Sequence, residues 1–310
     1  MIKVHLDTDL GGDMDDLCAL ALLLRWPGGV DLRGITVVGD TGGRRTGLVR
    51  RALQVAGRTE IPVAAGADTS GGYYPYPLGL PPDEAYWGED VPPSPNPPED
   101  ALRLLKHNLD EGCTLITIGP LTNLRLLEEA YPGSLAQVQL YIMGGYVHPT
   151  RPGFPAWGNA MDFNLQVDTR SALAVLQQAN CPTLIPLSVT VETALRRAQL
   201  PALAAAGPLG ALIARQAEAF ALEYQNEVNI GATCPGLPAD IINFQHDPLA
   251  CAVALGWRDG VVMEQVRLAL EIEDGLLVEC PDPHGQPFRL VTALDGPRFD
   301  RFWQDCLVGK

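Results

Sequence analysis

Lysine is nearly absent from this chain: Lys3, Lys106 and Lys310 are all it has in 310 residues. Lys and Arg together number 22 against 37 Asp and Glu, a formal net charge of −15. Such a surface is poorly suited to displacing counterions from a phosphate backbone, so nucleic acid is not an expected partner. A polyanionic substrate is disfavoured for the same reason, unless a local basic patch overrides the mean field. No apolar run approaches the roughly 18–20 residues of a bilayer span, and no membrane partner is expected. The seven cysteines (Cys18, Cys113, Cys181, Cys234, Cys251, Cys280 and Cys306) form no CxxC pair, and several lie in apolar runs. Buried free thiols are therefore expected. Met1 is followed at once by strand-like IKVHL, which leaves no room for a signal peptide. The expected location is cytoplasmic. No repeat, low-complexity tract or linker divides the chain, so residues 1–310 are expected to form a single domain.

Strand and helix signals alternate from the start. IKVHL reads as a short apolar strand, and DDLCALALLLRW as a helix with two acids in its first turn, where the helix dipole favours them. LRGITVVG, IPVAAG, CTLITIG, VQLYIMGG and TLIPLSV read as further strands. Helices are expected over 46–56 and 99–110, in PLTNLRLLEEA, and in TRSALAVLQQA with Asp168 as its cap. Two helical segments fill 199–226, and DPLACAVAL forms another helix. VRLALEIEDGLLVEC reads as a hairpin turning at Asp274–Gly275, FRLVTAL as an added strand, and PRFDRFWQDCL as a closing amphipathic helix. Residues 71–98, with Tyr73, Tyr74, Tyr76, Trp87 and many prolines, read as a long irregular loop, as do 146–161 and much of 228–245. This rhythm predicts an α/β fold: one open, mostly parallel sheet flanked by helices, with a C-terminal hairpin. Ligands of such sheets bind beyond the carboxyl ends of the strands. The loop after the first strand, Asp40 after the second and Ile118-Gly119 after a later one should therefore meet at one rim.

The loop after the first strand holds the densest chemistry in the chain. Asp7, Asp9, Asp13, Asp15 and Asp16 fall within the run LDTDLGGDMDDLCAL, with Gly11 and Gly12 among them. Carboxylates this close repel, and a fold that gathers them needs a cation or shared protons. Oxygen-only donors suit Ca²⁺ or Mg²⁺ rather than zinc. The spacing does not fit an EF-hand, whose glycine and distal bidentate Glu are missing from the required places. The plain alternative, a solvated turn with helix-capping acids, accounts for any one Asp but leaves the whole cluster as repulsion without return.

The run resembles the opening signature of the inosine/uridine-preferring nucleoside hydrolases: Asp7-Thr8-Asp9, Gly11, and Asp15-Asp16 leading an apolar helix. ITVVGD at 35–40, IGPLTNL at 118–124, GNAMDFNLQVD at 158–168 and HDPLA at 246–250 continue the resemblance in the family's order, over about residues 2–255. The chain departs from the pattern in four places. The loop between Asp9 and Asp15 is two residues longer and adds Asp13, Asp40 stands where Asn is commoner, the stretch from Asn159 to Asn164 is shortened, and Asp162 replaces the usual Glu.

What the resemblance implies is hydrolysis of a ribonucleoside's N-glycosidic bond through an oxocarbenium-like transition state. It implies a Ca²⁺ cofactor held by Asp9, Asp15 or Asp16, the main-chain oxygen of Ile118, and Asp247, with Asp16 the ligand when the Asp-Asp pair is aligned. Asp9 would be the general base and Asp15 would grip a ribose hydroxyl, with Asp13 an alternative for either role in the longer loop. Asn159, Asp162 and Asn164 would hold the sugar with help from Asp40, and His246 would protonate or orient the departing base. A homodimer or homotetramer is the family expectation. Trp87, Trp157 and Tyr224 are aromatic candidates for stacking on a nucleobase, each also readable as ordinary packing; Tyr224 shares a helical stripe with Phe220. His148 is a weaker second candidate, His5 reads as a satisfied core or edge residue, and the GRR at 43–45 as a solvated helix start. Two other classes compete. An aspartate phosphatase would use Asp7 as nucleophile with Mg²⁺ and needs a Lys at the rim, which this chain scarcely has. A non-catalytic nucleoside- or sugar-binding protein would keep the fold without turnover.

Overall fold

The structure is a computed structural model that describes residues 1–68 and 79–309. Its first half runs β1 (Ile2–Thr8), α1 (Asp15–Arg25), β2 (Val30–Val37), α2 (Arg44–Val55), β3 (Val63–Ala65), α3 (Asp83–Trp87), α4 (Glu99–Asp110), β4 (Thr114–Thr117), α5 (Thr122–Ala130) and β5 (Leu140–Met143). There follow α6 (Phe163–Gln166), α7 (Thr169–Gln178), β6 (Thr183–Ile185), α8 (Leu187–Thr190), β7 (Leu195–Arg196), α9 (Leu200–Ala204), α10 (Pro208–Tyr224), β8 (Ile241–Asn243) and α11 (His246–Ala254). The chain closes with β9 (Val261–Glu273), β10 (Leu276–Pro281), β11 (Gln286–Leu294) and α12 (Gly296–Val308).

Nine strands form one sheet in the order β10-β9-β11-β6-β5-β4-β1-β2-β3. Pairing is parallel from β3 across to β11, and only β9 runs against its neighbours. The α/β class and the mostly parallel sheet match the sequence reading. The strand order reverses direction at β1, which is flanked by β2 and β4. A crevice opens at such a switch point, beyond the carboxyl ends of β1 and β4.

Side chains alternate across the sheet with period two. Val4 and Leu6 of β1, Ile116 of β4, and Tyr141 and Met143 of β5 face one apolar core together with α1, α10, α11 and α12. Leu115, Leu140, Ile142 and Leu184 face a second core with α5 and α7. Helix α1 lies between sheet and helices and packs on α11 and α12, which is why its apolar residues do not form a stripe.

The β9–β10 hairpin turns at Asp274–Gly275, both with positive φ (50° and 87°), the pair that a tight primed turn requires. Three local differences have simple causes. β6 ends at Ile185 because Pro186 has no N–H to continue the ladder, and α8 starts there instead. The proline-rich segment contains α3, which Arg215 holds by donating to the carbonyls of Glu84 and Ala85. A small antiparallel ribbon pairs β7 with β8, whose short runs carry no alternation to read. Tyr73, Tyr74 and Tyr76 lie outside the described residues. No helix among the described residues is long and apolar enough to cross a membrane. Cys18, Cys113, Cys251 and Cys306 are buried free thiols as expected, whereas Cys280 is exposed.

Candidate metal and sugar site at the switch point

After β1 the chain passes from Asp9 through Gly11 and Gly12 to the first turn of α1. Gly11 has φ 121°, and a Cβ there would come within 2.5 Å of Leu48, so this turn needs glycine. Asp15 and Asp16 sit at the N-terminus of α1, and Asp247 in the first turn of α11. Because the two helices pack together, their N-termini bring three carboxyls to one point. Oxygens of Asp15, Asp16 and Asp247 lie within 4.8 Å of one another, and each residue is only 4% exposed. The Asp247 amide donates to Asp15 Oδ2 at 3.3 Å, and the Thr8 hydroxyl donates to Asp16 Oδ1.

Burial, then mutual repulsion, holds the carboxyls of Asp15, Asp16 and Asp247 well above the ordinary carboxylate range. A divalent cation bound here would relieve that repulsion in place of protons. Three buried oxygen donors fit a hard cation and offer no soft ligand.

Asp9 stands beside the trio. Its carboxyl is raised by burial, an effect that Arg45 opposes, and its charge raises those of Asp15, Asp16 and Asp247. A Cβ at Gly119 would lie 2.8 Å from Asp9 Oδ1, so the residue after Ile118 must be glycine for Asp9 to occupy this place. The Ile118 carbonyl accepts from Asn164 Nδ2 at 3.0 Å, which leaves it one lone pair. Asp9, Asp15, Asp16, Ile118, Asn164 and Asp247 thus lie together at this rim. Asp15, placed on the sugar by alignment of the pair, belongs to the close trio with Asp16 and Asp247, and Asp9 lies outside it. Asp13 is exposed and bonded to Asn243 Nδ2 at 2.5 Å, so the extra acid of the lengthened loop is tied to β8.

Other expected site residues have different employment. Asp40 is fully buried; its Oδ1 accepts from the Arg45 amide at 2.6 Å, and its Oδ2 from the amide and hydroxyl of Thr46. Both oxygens therefore cap α2. The Asn159 amide donates to the Leu277 carbonyl and its Oδ1 accepts from Gln166 at 2.7 Å. These bonds turn Asn159 toward β10. Asp162, 1% exposed, accepts from the Gly145 amide at 2.6 Å, while its Oδ1 has no hydrogen-bond partner. Burial lifts it to about 7. Trp87 is buried in the main core, the packing alternative, and Tyr224 is half-exposed and stacked on Phe220 at 4.1 Å.

His246 Nδ1 pairs with the Thr190 hydroxyl at 2.7 Å, and burial lowers its pKa to about 3, so the ring is neutral. Phe244 lies 5.1 Å from the His246 ring and 5.2 Å from Trp157, an aromatic row beside α11.

Behind the rim, on the second face of β1, a polar chain has every role fixed. Asn108 Nδ2 can only donate, so His5 Nδ1 accepts (2.8 Å), His5 Nε2–H donates to Thr36 (3.0 Å), and Thr36 donates to Asp7 Oδ1 (2.5 Å). Burial keeps His5 neutral, lowering it to about 3, and lifts Asp7 to about 7. Asn123 of α5 donates to Asp7 and to the Val37 carbonyl, and accepts from the Ala67 amide, pinning the ends of β1, β2 and β3 together. Asp7 is fully buried under these bonds, which leaves it no way to act as a phosphatase nucleophile.

Sequence reasoning missed Arg45, Asn123, Thr190 and Glu279. Arg45 is not a solvated helix start: it is 7% exposed and donates to the carbonyls of Asp9 and Gly39. The acid excess in the loop was the signal that a cation must lie nearby.

Comparison with known proteins agrees with this geometry. The model of the inosine-uridine preferring nucleoside hydrolase family matches residues 4–301. The pyrimidine-specific ribonucleoside hydrolase RihA of Salmonella arizonae is 31% identical over 268 residues, covering 82% of this chain and 78% of that protein. The same enzyme from Escherichia coli is 30% identical over the same shares. Among solved structures, a plant nucleoside hydrolase superposes with TM-score 0.78 at 20% identity, covering 100% of this chain and 99% of the other. A purine-preferring ribonucleoside hydrolase from Gardnerella vaginalis gives 0.77 at 20% identity, covering 99% and 98%. At that identity the structures speak for the fold alone.

Proposed function

Since the chain belongs to the inosine-uridine preferring nucleoside hydrolase family, whose members cleave N-glycosidic bonds, we propose that it is a Ca²⁺-dependent hydrolase of ribonucleosides that releases ribose and free base. The observation that carries the metal reading is the buried trio Asp15, Asp16 and Asp247, three oxygen donors presented by two helix N-termini at the sheet's switch point. Asp16 and Asp247, with the Ile118 carbonyl and Asp9, would hold the ion; Asp15 reaches both it and a sugar hydroxyl. When bound, a divalent cation offsets the carboxylate repulsion and makes a neighbouring water more acidic.

Asp9 takes the proton of the attacking water. Its place beside Gly119, outside the close trio, leaves its carboxyl available for that task. Asn164, anchored between the carbonyls of Ile118 and Met143, fixes the floor on which the sugar lies. As positive charge develops on the ribose ring, the surrounding carboxylates stabilise it electrostatically. His246 is neutral, so it serves the departing base by hydrogen bonding: Thr190 occupies Nδ1, which leaves Nε2 to face the base. Phe244 and Trp157 supply the apolar wall on the base side. Because the two RihA relatives are pyrimidine-specific, uridine and cytidine are the first substrates to try. The homodimer or homotetramer and the cytoplasmic location belong to the same proposal.

The Asp9→Ala variant tests the assignment. It should bind nucleoside and lose turnover on the order of 10²–10⁴-fold, the usual worth of a positioned base. Unchanged kcat would eliminate Asp9 as the base.

A further inference from the structure

The acid cluster contains one resident cation, and it touches no carboxylate. Among the described residues no ion pair within 4 Å involves Asp9, Asp13, Asp15, Asp16 or Asp247. Arg45 instead spends its guanidinium on main-chain oxygens: Nη1 donates to Asp9 O, and Nε to Gly39 O at 3.1 Å. These carbonyls belong to the loops that leave β1 and β2, so one planar group ties two neighbouring strand ends. A Cβ at Gly12 would stand 3.7 Å from Nη1 and 3.9 Å from Nη2, which places the guanidinium under the glycine turn. Its backbone is held as well, since Asp40 accepts from the Arg45 amide.

We propose that Arg45 is a positioning residue that fixes the main chain of Asp9 and supplies permanent positive charge to the cluster while itself occupying none of its carboxylate oxygens. A guanidinium suits the task because it remains charged at any working pH and its fork meets two acceptors at once. A lysine keeps the charge but has no planar fork. The lengthened loop and the Asp at position 40 form one unit with this arginine: Asp40 orders the turn that presents Arg45, and Arg45 orders the turn that presents Asp9.

This inference rests on the hydrolase reading for its kinetic and Ca²⁺-binding arms, and the exchange arm is independent of it. In chelator, amide exchange across residues 9–14 should quicken about tenfold in Arg45→Met relative to the unaltered protein, and by less in Arg45→Lys. In turnover of uridine or inosine at saturating Ca²⁺, Arg45→Met should lower kcat about 10- to 100-fold, the scale of a misplaced catalytic group, with KM nearly unchanged. Arg45→Lys should recover part of that loss. Calorimetric titration with Ca²⁺ should show Arg45→Met binding the ion at least as tightly as the unaltered protein, because a like charge has been removed.

Unchanged exchange and unchanged kcat would overturn the proposal. So would loss of Ca²⁺ binding in step with kcat, which would make Arg45 a general support of the loop. If Arg45→Met does not fold, Arg45→Lys decides on the same exchange and kcat readings. Failure of the unaltered protein to release base or bind Ca²⁺ would fall on the hydrolase reading, while the exchange comparison would still judge Arg45.

Discussion

Glu279 of β10 is 2% exposed; its Oε2 accepts from the Tyr146 amide at 3.3 Å, and Oε1 has no hydrogen-bond partner. Burial, with the nearby Asp162 charge adding to it, lifts this carboxyl from 4.5 to about 8. The folded chain therefore holds a proton that the unfolded chain releases near pH 4.5, so stability contributed by the protonated form is complete below that value and is lost as pH rises toward 8. At about 1.4 kcal/mol per pH unit, the loss between pH 5 and 8 is on the order of 4 kcal/mol. The substitution Glu279→Gln keeps the shape and removes the ionisation. Denaturant unfolding in chelator at pH 5, 6, 7 and 8 should give the two proteins similar stability at pH 5. The variant should gain progressively above it, by a few kcal/mol at pH 8. The acid trio bends both curves in the same direction and cancels in the difference. Parallel pH profiles would refute the claim that the folded protein keeps Glu279 protonated.

Other consequences follow from the same geometry. Asn123→Ala strips partners from Asp7 and from the main chain at Val37 and Ala67; it should destabilise the protein by about 2–4 kcal/mol, given the cost of buried unpaired groups. A loss under about 1 kcal/mol in chemical denaturation would show that the rim is not pinned there. Ribonucleosides should be strongly preferred over 2′-deoxyribonucleosides, because carboxylates built to grip a hydroxyl are left unpaired without it. Equal kcat/KM for uridine and deoxyuridine would remove that account of the sugar site.

The fold was legible because its signals are local. Alternating apolar runs, acids in the first turn of α1 and the Asp274-Gly275 dipeptide each state a local preference that the tertiary structure keeps. The acid trio was legible as residue types, since Asp15-Asp16 and Asp247 each open a helix. Which oxygen faces which partner was not legible. Asp40 and Asn159 bond to Arg45 and Leu277, partners that depend on how α2 and β10 dock. Trp87 sits in a proline-rich stretch that reads as loop, but α10 packs on α3 and buries it. Glu279 lay unnoticed on a hairpin strand because only the pairing of β9 with β11 carries that hairpin to Asp162.

The most direct test is release of free base from uridine, cytidine and inosine, measured after chelation and again after Ca²⁺ is restored. The account predicts release that vanishes with chelator and returns with Ca²⁺. Release that persists without any divalent ion, or no release from any ribonucleoside with Ca²⁺ saturating, would contradict it.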